Sequence, residues 1–146
     1  MNRPEGLVLP AFFSRYESPI KLVETADGGV AAWRLSKETG GWTPANELIR
    51  ALLFIGGDDI EELTREEFVQ QTERERGHYL RGEGPIFALY ETVRAITDAQ
   101  ARERRYPTPT EIALIEGVRR RTFVMFEEEL QRAGDPGADP SLGQQP

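Results

Sequence analysis

The chain has 146 residues, 38% of them hydrophobic and 29% charged, with a formal charge of −7, one histidine and no cysteine. Without a thiol there is no cysteine nucleophile, thiolate zinc site, iron–sulfur cluster or disulfide. The single imidazole, His78, excludes a histidine-rich metal centre and forces any Ser-His-Asp arrangement through one ring.

What remains is carboxylate, arginine and aromatic chemistry, which suits binding surfaces more than active sites. A chain of this length buries roughly two-thirds of its unfolded surface, enough for one core without covalent staples. The opening MNRPEGLVLPAFFSRYE lacks the apolar run of a signal peptide, being broken by Pro10 and Arg15. No stretch approaches the ~20 apolar residues that span a bilayer. The expected location is therefore cytoplasmic. Of the 18 basic residues only Lys21 and Lys37 are lysine, a bias that a GC-rich genome explains as well as any need for guanidinium.

Charge is polarised along the chain. Residues 57–80 hold eight acids against three arginines, a net −5, whereas residues 91–121 are net +2. An acidic balance argues against general binding of nucleic acid or anionic membrane, which needs a basic face.

The N-terminal third reads as β structure. Leu7-Val8-Leu9 and Phe12-Phe13 suit a third strand or packed arm, split by Pro10. Ile20–Thr25 and Val30–Leu35 flank Ala26-Asp27-Gly28-Gly29, whose glycines supply the positive φ of a tight hairpin. Ala31, Trp33 and Leu35 share one face by alternation, and Leu22, across the hairpin, is placed to join them beneath covering helices.

Four helices are predicted next. Thr43 with Pro44 opens the first, through Leu48, Ile49, Leu52 and Leu53 to Gly56-Gly57. Thr64 and Glu67 form a capping box for the second, with a thin apolar stripe of Phe68, Val69, Thr72, Tyr79 and Leu80. Gly84-Pro85 starts the third, carrying Ile86, Leu89, Tyr90, Val93 and Ile96. Thr108-Pro109-Thr110-Glu111 starts the fourth, which Gly134 ends. The third and fourth, joined by a short turn, are expected to pair antiparallel and to scaffold the core. After Gly134 the run DPGADPSLGQQP has one large apolar residue, Leu142, which predicts a disordered tail over 134–146.

Several constellations bear on function. Glu75 and His78 have the Glu-x-x-His spacing of carboxylate-bridged diiron bundles, but no second histidine exists to complete that template. Asp58, Asp59, Glu61 and Glu62 form an acidic run lacking the glycine position of a calcium loop. That run suits an acidic loop before a helix start, or a patch that docks a basic protein. Arg81-Gly82-Glu83-Gly84-Pro85 is a flexible connection without the phosphate-loop ending. Arg102, Arg104, Arg105 and Arg119-Arg120-Arg121 suit helix-end electrostatics and local ion pairs, with an anion site the lesser reading. Trp42, beside Trp33 and Tyr16, is a candidate contact aromatic.

These caps and turns are general folding grammar and point to no family. The expectation is an α+β domain over 1–133, with a small N-terminal antiparallel hairpin or three-stranded sheet packed on about four helices. Its expected role is a non-enzymatic acidic protein-binding module, as an immunity protein or antitoxin masks a basic toxin. Asp58, Asp59, Glu61, Glu62 and Trp42 are the candidate partner-binding residues, with no cofactor or metal. Two alternatives stand beside it. One is a carboxylate- or metal-dependent enzyme using Glu75, His78 and Asp58 or Asp59. The other is an assembly subunit that oligomerises through the hairpin edge.

Overall fold

The computed structural model describes residues 6–55, 57 and 59–144. It is an α+β fold built on a five-stranded antiparallel sheet. The strands are β1 (Ala11–Arg15), β2 (Ser18–Glu24), β3 (Val30–Leu35), β4 (Trp42–Pro44) and β5 (Ile60–Leu63), in the order β4-β3-β2-β1-β5. Three long helices follow: α1 (Arg65–Tyr79), α2 (Pro85–Arg102) and α3 (Pro109–Arg132). Both predicted capping boxes form, Thr64 with Glu67 and Thr108 with Glu111.

The sheet is larger than expected because two segments read otherwise are strands. Thr43-Pro44 does not open a helix but ends β4, an edge strand where the missing proline N–H is harmless. Helical structure begins two residues later, as a 3-10 turn at Asn46–Leu48 and a wide π-type turn at Ala51–Ile55. Asn46 Oδ1 and the Ala45 amide, each at 2.8 Å, occupy the backbone N–H and C=O of Ala32, so this segment is tied to the sheet. Gly56, half of the predicted glycine stop, lies outside the described residues. The acidic run after it is not a solvated loop: Ile60–Leu63 pairs antiparallel with β1. The β2–β3 hairpin is thus interior to the sheet, flanked by β1 and, over Trp33–Leu35, by β4.

Register decides what the helices meet. The hairpin closes at Glu24 and Val30 rather than Thr25 and Val30, because Thr25 enters the turn, its Oγ1 accepting from the Gly29 amide at 2.9 Å. One residue of shift reverses which side chains share a face. Leu22 therefore sits opposite Ala32, on the face covered by Ala45, Leu48, Ile49 and Leu52. Lys21 takes the place opposite Trp33, on the helix face with Phe12, Leu35 and Trp42. A lysine is thereby held against the core.

The helix face of the sheet packs on α1 and α3, through Phe68, Val69 and Phe123. The expected α2–α3 scaffold is only half correct: α2 buries just Ile86, Tyr90 and Gln100, and forms a lesser cluster with Phe126. The central helix is α1, whose stripe looked thin because Glu73 and Arg76 occupy buried positions within it.

The segment after Gly134, expected to be a disordered tail, is docked. Leu142 is 3% exposed among Phe68, Phe123 and Trp42, in a closing 3-10 turn at Pro140–Gly143. Asp135 Oδ2 accepts the Trp42 amide at 3.0 Å, and Asp139 donates its amide to Glu127 Oε1 at 3.0 Å. Gly137 lies so close that a Cβ there would stand 2.5 Å from Trp42 Cβ. Composition misjudged this run because buried polar bonds add to its single large apolar anchor, Leu142.

Ending the chain after Gly134 should therefore lower the unfolding free energy by at least about 3 kcal/mol, since Lys21 and Glu127 lose buried partners. Urea denaturation checks this; an unchanged midpoint would mean that the segment contributes nothing.

Candidate functional site

The predicted partner-binding residues separate into two places. Asp58 lies outside the described residues. Asp59 is in the turn before β5, and its carbonyl accepts the Tyr16 amide at 3.3 Å. Glu61 and Glu62 are exposed on β5, beside Ser14 and Phe13 of β1. The neighbouring Tyr16 is 68% exposed, held outward by a two-residue β1–β2 turn in which Tyr16 and Glu17 both have positive φ, 50° and 62°. Hairpin turns of this geometry normally use Asn or Gly. The Asp59 carboxylate raises the Tyr16 pKa by hydrogen bonding and by charge.

The rest of the acidic run is already engaged. Glu67 caps α1, and Glu66 Oε1 accepts from Arg120 at 2.7 Å. Glu73 and Glu75 are buried. Among the described residues the exposed acidic strip is therefore Glu61 and Glu62, with Asp59 bonded to Tyr16 at its end.

Glu75 and His78 lie one turn apart on α1, the acid buried and the imidazole exposed in an edge contact with Tyr79. Asp59 lies in the turn before β5, on another element. Among the described residues no group of three or more His, Asp and Glu is placed to hold a metal ion.

Trp42 is not a surface aromatic. It is 5% exposed, stacked on Phe68 with ring centroids 5.6 Å apart. Its Nε1–H donates to both oxygens of Glu127 at 3.0 Å. That bond belongs to a buried ionic cluster of Lys21 (β2), Glu73 and Arg76 (α1) and Glu127 (α3), each at most 1% exposed.

Arg76 is the hub of this cluster. Its Nε donates to Gly40 O at 3.0 Å, Nη1 to Glu73 Oε2 at 2.8 Å and Nη2 to Glu127 Oε2 at 2.5 Å, while the guanidinium lies 4.2 Å from the Phe126 ring centroid. Lys21 donates to the Gly137 carbonyl, with Nζ 3.9 Å from Glu127 Oε1 and 4.5 Å from the Trp42 ring. Tyr90 OH donates to Glu73 Oε1 at 2.7 Å. Two cations balance two carboxylates, which meets the condition for burying charge at all.

Burial pushes the Glu73 carboxyl up against the pull of Arg76, and pushes the Lys21 amine down against that of Glu127. Burial likewise works against the Arg76 charge, but Glu73 and Glu127 hold its pKa above the ordinary value.

Sequence reasoning missed this cluster, though a signal existed. Phe68, Val69, Thr72, Glu73 and Arg76 fall on one helical face, as do Phe123, Phe126, Glu127 and Leu130. Ionisable residues inside an apolar stripe are buried or misassigned.

The arginine clusters mostly find local acids. Arg105 pairs with Glu111 at 2.7 Å and also with Glu103, and Arg120 bridges to Glu66. The Arg105 guanidinium and the Thr108 amide hold Glu111 at about 2. Compared with protein-family models, with curated proteins and with solved structures, the chain matches none.

Removing one member of a buried ion pair leaves the other unpaired, at a cost of about 3–5 kcal/mol. Glu127→Ala should lose that much in urea unfolding, while Glu129→Ala, at an exposed position two residues on, should stay within about 0.5 kcal/mol. Equal small losses would contradict the network's role.

Proposed function

We propose that this chain is an acidic protein-binding module that docks a basic surface of a partner protein, in the manner of an immunity protein or antitoxin. The observation that carries the reading is one sheet edge, where Tyr16, 68% exposed, stands beside Asp59 and the exposed Glu61 and Glu62 follow along β5. A large rigid aromatic supplies contact area at low entropic cost, and the carboxylates beside it steer a cationic surface into register. The strip is mounted on β1 and β5, so its geometry is set before any partner arrives. Charges on an edge strand also discourage a second sheet from pairing there, which leaves side-chain contact as the mode of docking.

Trp42 has no part in this reading, being enclosed in the core. The contact aromatic is Tyr16 in its place.

The test uses the partner recovered by pull-down from the native host. Reversing Asp59, Glu61 and Glu62 to lysine should slow association by about tenfold or more, and Tyr16→Ala should speed dissociation. Raising salt to physiological strength should slow the wild-type on-rate, since exposed charges are screened beyond ~8 Å. Surface plasmon resonance, with circular dichroism confirming the fold, reads both. An on-rate indifferent to charge reversal and to salt would reject this docking edge.

A further inference from the structure

We propose that the cavity enclosed by α1, α2 and α3 binds a small organic anion, an oxyanion head carried on an apolar body. The cavity measures 250 Å³ and shares no lining residue with the Asp59–Glu62 strip. Its apolar walls come from Val93 of α2 and Val118 of α3, with Tyr90 beside them.

Its charged lining is unbalanced. Arg74 of α1, Arg94 of α2 and Arg119 of α3 all line it. Arg94 donates to the Gly77 carbonyl. Among the described residues the Arg74 and Arg119 side chains make no direct hydrogen bond or ion pair, though Glu61 and Glu116 share an adjoining groove with them, whereas Arg76, Arg105 and Arg120 all reach carboxylates. Arg119 is half-buried, and burial together with the like charge of Arg74 lowers its pKa, offset in part by Glu73 and Glu116. The one carboxylate lining the cavity, Glu73, already accepts from Arg76 and Tyr90 and has little left to give these cations.

A half-buried cation facing another of the same sign is costly unless an anion joins them. Guanidinium groups are suited to that task, because their planar fork matches the two oxygens of a carboxylate or phosphate. The apolar walls call for a body beyond the head. At 250 Å³ the space falls just under the ~300 Å³ where pockets for drug-sized ligands begin, so the body is one ring or a short chain.

The experiment titrates full-length protein with benzoate, phenyl phosphate, inorganic phosphate and the neutral isostere benzamide, followed by amide chemical shifts and calorimetry. Saturable binding of benzoate or phenyl phosphate is expected, with shifts centred on Val93, Thr97 and Val118. The preferred aryl anion identifies the head as carboxylate or phosphate. Benzamide and inorganic phosphate should bind at least about tenfold more weakly, the one lacking the charge and the other the body. Arg119→Gln should lose a similar factor, and Arg74→Gln, at an exposed position, gives a second variant that leaves the core untouched. Arg121→Gln, which does not line the cavity, should bind as the wild type does. The proposal is overturned if neither aryl anion saturates, if benzamide binds equally well, or if both Arg119→Gln and Arg74→Gln bind unchanged.

Discussion

A carboxylate with no exposure, Glu127 near the end of α3, is the point on which the rest of the structure depends. It accepts from the Trp42 indole, from Arg76 and from the Asp139 amide, and faces Lys21 at 3.9 Å. Those partners belong to the sheet, to α1 and to the C-terminal segment. Apolar packing alone would let these parts slide past one another, since hydrophobic burial is non-directional. The ionic contacts set one arrangement, at the cost of desolvating four charged groups. In this chain they act as a register device: Arg76 can satisfy Gly40, Glu73 and Glu127 together only with α1 and α3 in one relative position.

Because the cluster's cations and carboxylates cancel, the chain's charge of −7 is expressed outside it. The outer charges divide into two regions with different chemistry. Along β5 the carboxylates Glu61 and Glu62 are exposed; at the α1–α3 cavity the Arg74 and Arg119 side chains make no direct ion pair, although Glu73 and Glu116 act on Arg119 through charge. The first is the proposed docking edge for a cationic protein surface and the second the proposed site of a small anion. The two share no lining residue, although Glu61 lines an adjoining groove together with Arg74 and Arg119.

Local signals were read well from sequence and distant ones were not. The capping boxes at Thr64 and Thr108 and the Pro85 helix start depend on neighbours a few residues away, and each stands where expected. What failed depends on partners far along the chain. Thr25 joins the turn through its own side chain, and that single residue exchanges Leu22 for Lys21 on the helix face. Lys21 then needs Glu127 and the Gly137 carbonyl, more than a hundred positions away. Trp42 reads as a candidate contact aromatic because its acceptor lies far away on α3, and the C-terminal run reads as disordered because the distant groups that bond Asp135 and Asp139 leave no trace in its composition. At the acidic run the composition was right but the setting wrong, since an exposed edge strand and a loop carry the same charges. Neither charge counting nor periodicity reveals the cationic cavity, which exists only where three helices meet.

The most direct measurement is native-state hydrogen exchange. If the buried cluster ties sheet, helices and C-terminal segment into one cooperative unit, the Trp42 and Asp139 amides, both bonded to carboxylates, should exchange in the slowest class together with the core of α1. In Arg76→Met the same amides and those of α1 should lose protection by a common factor, because regions that open together share one opening free energy. Fast exchange at Asp139 alongside a fully protected α1 and sheet would show the C-terminal segment opening on its own, and would contradict the account.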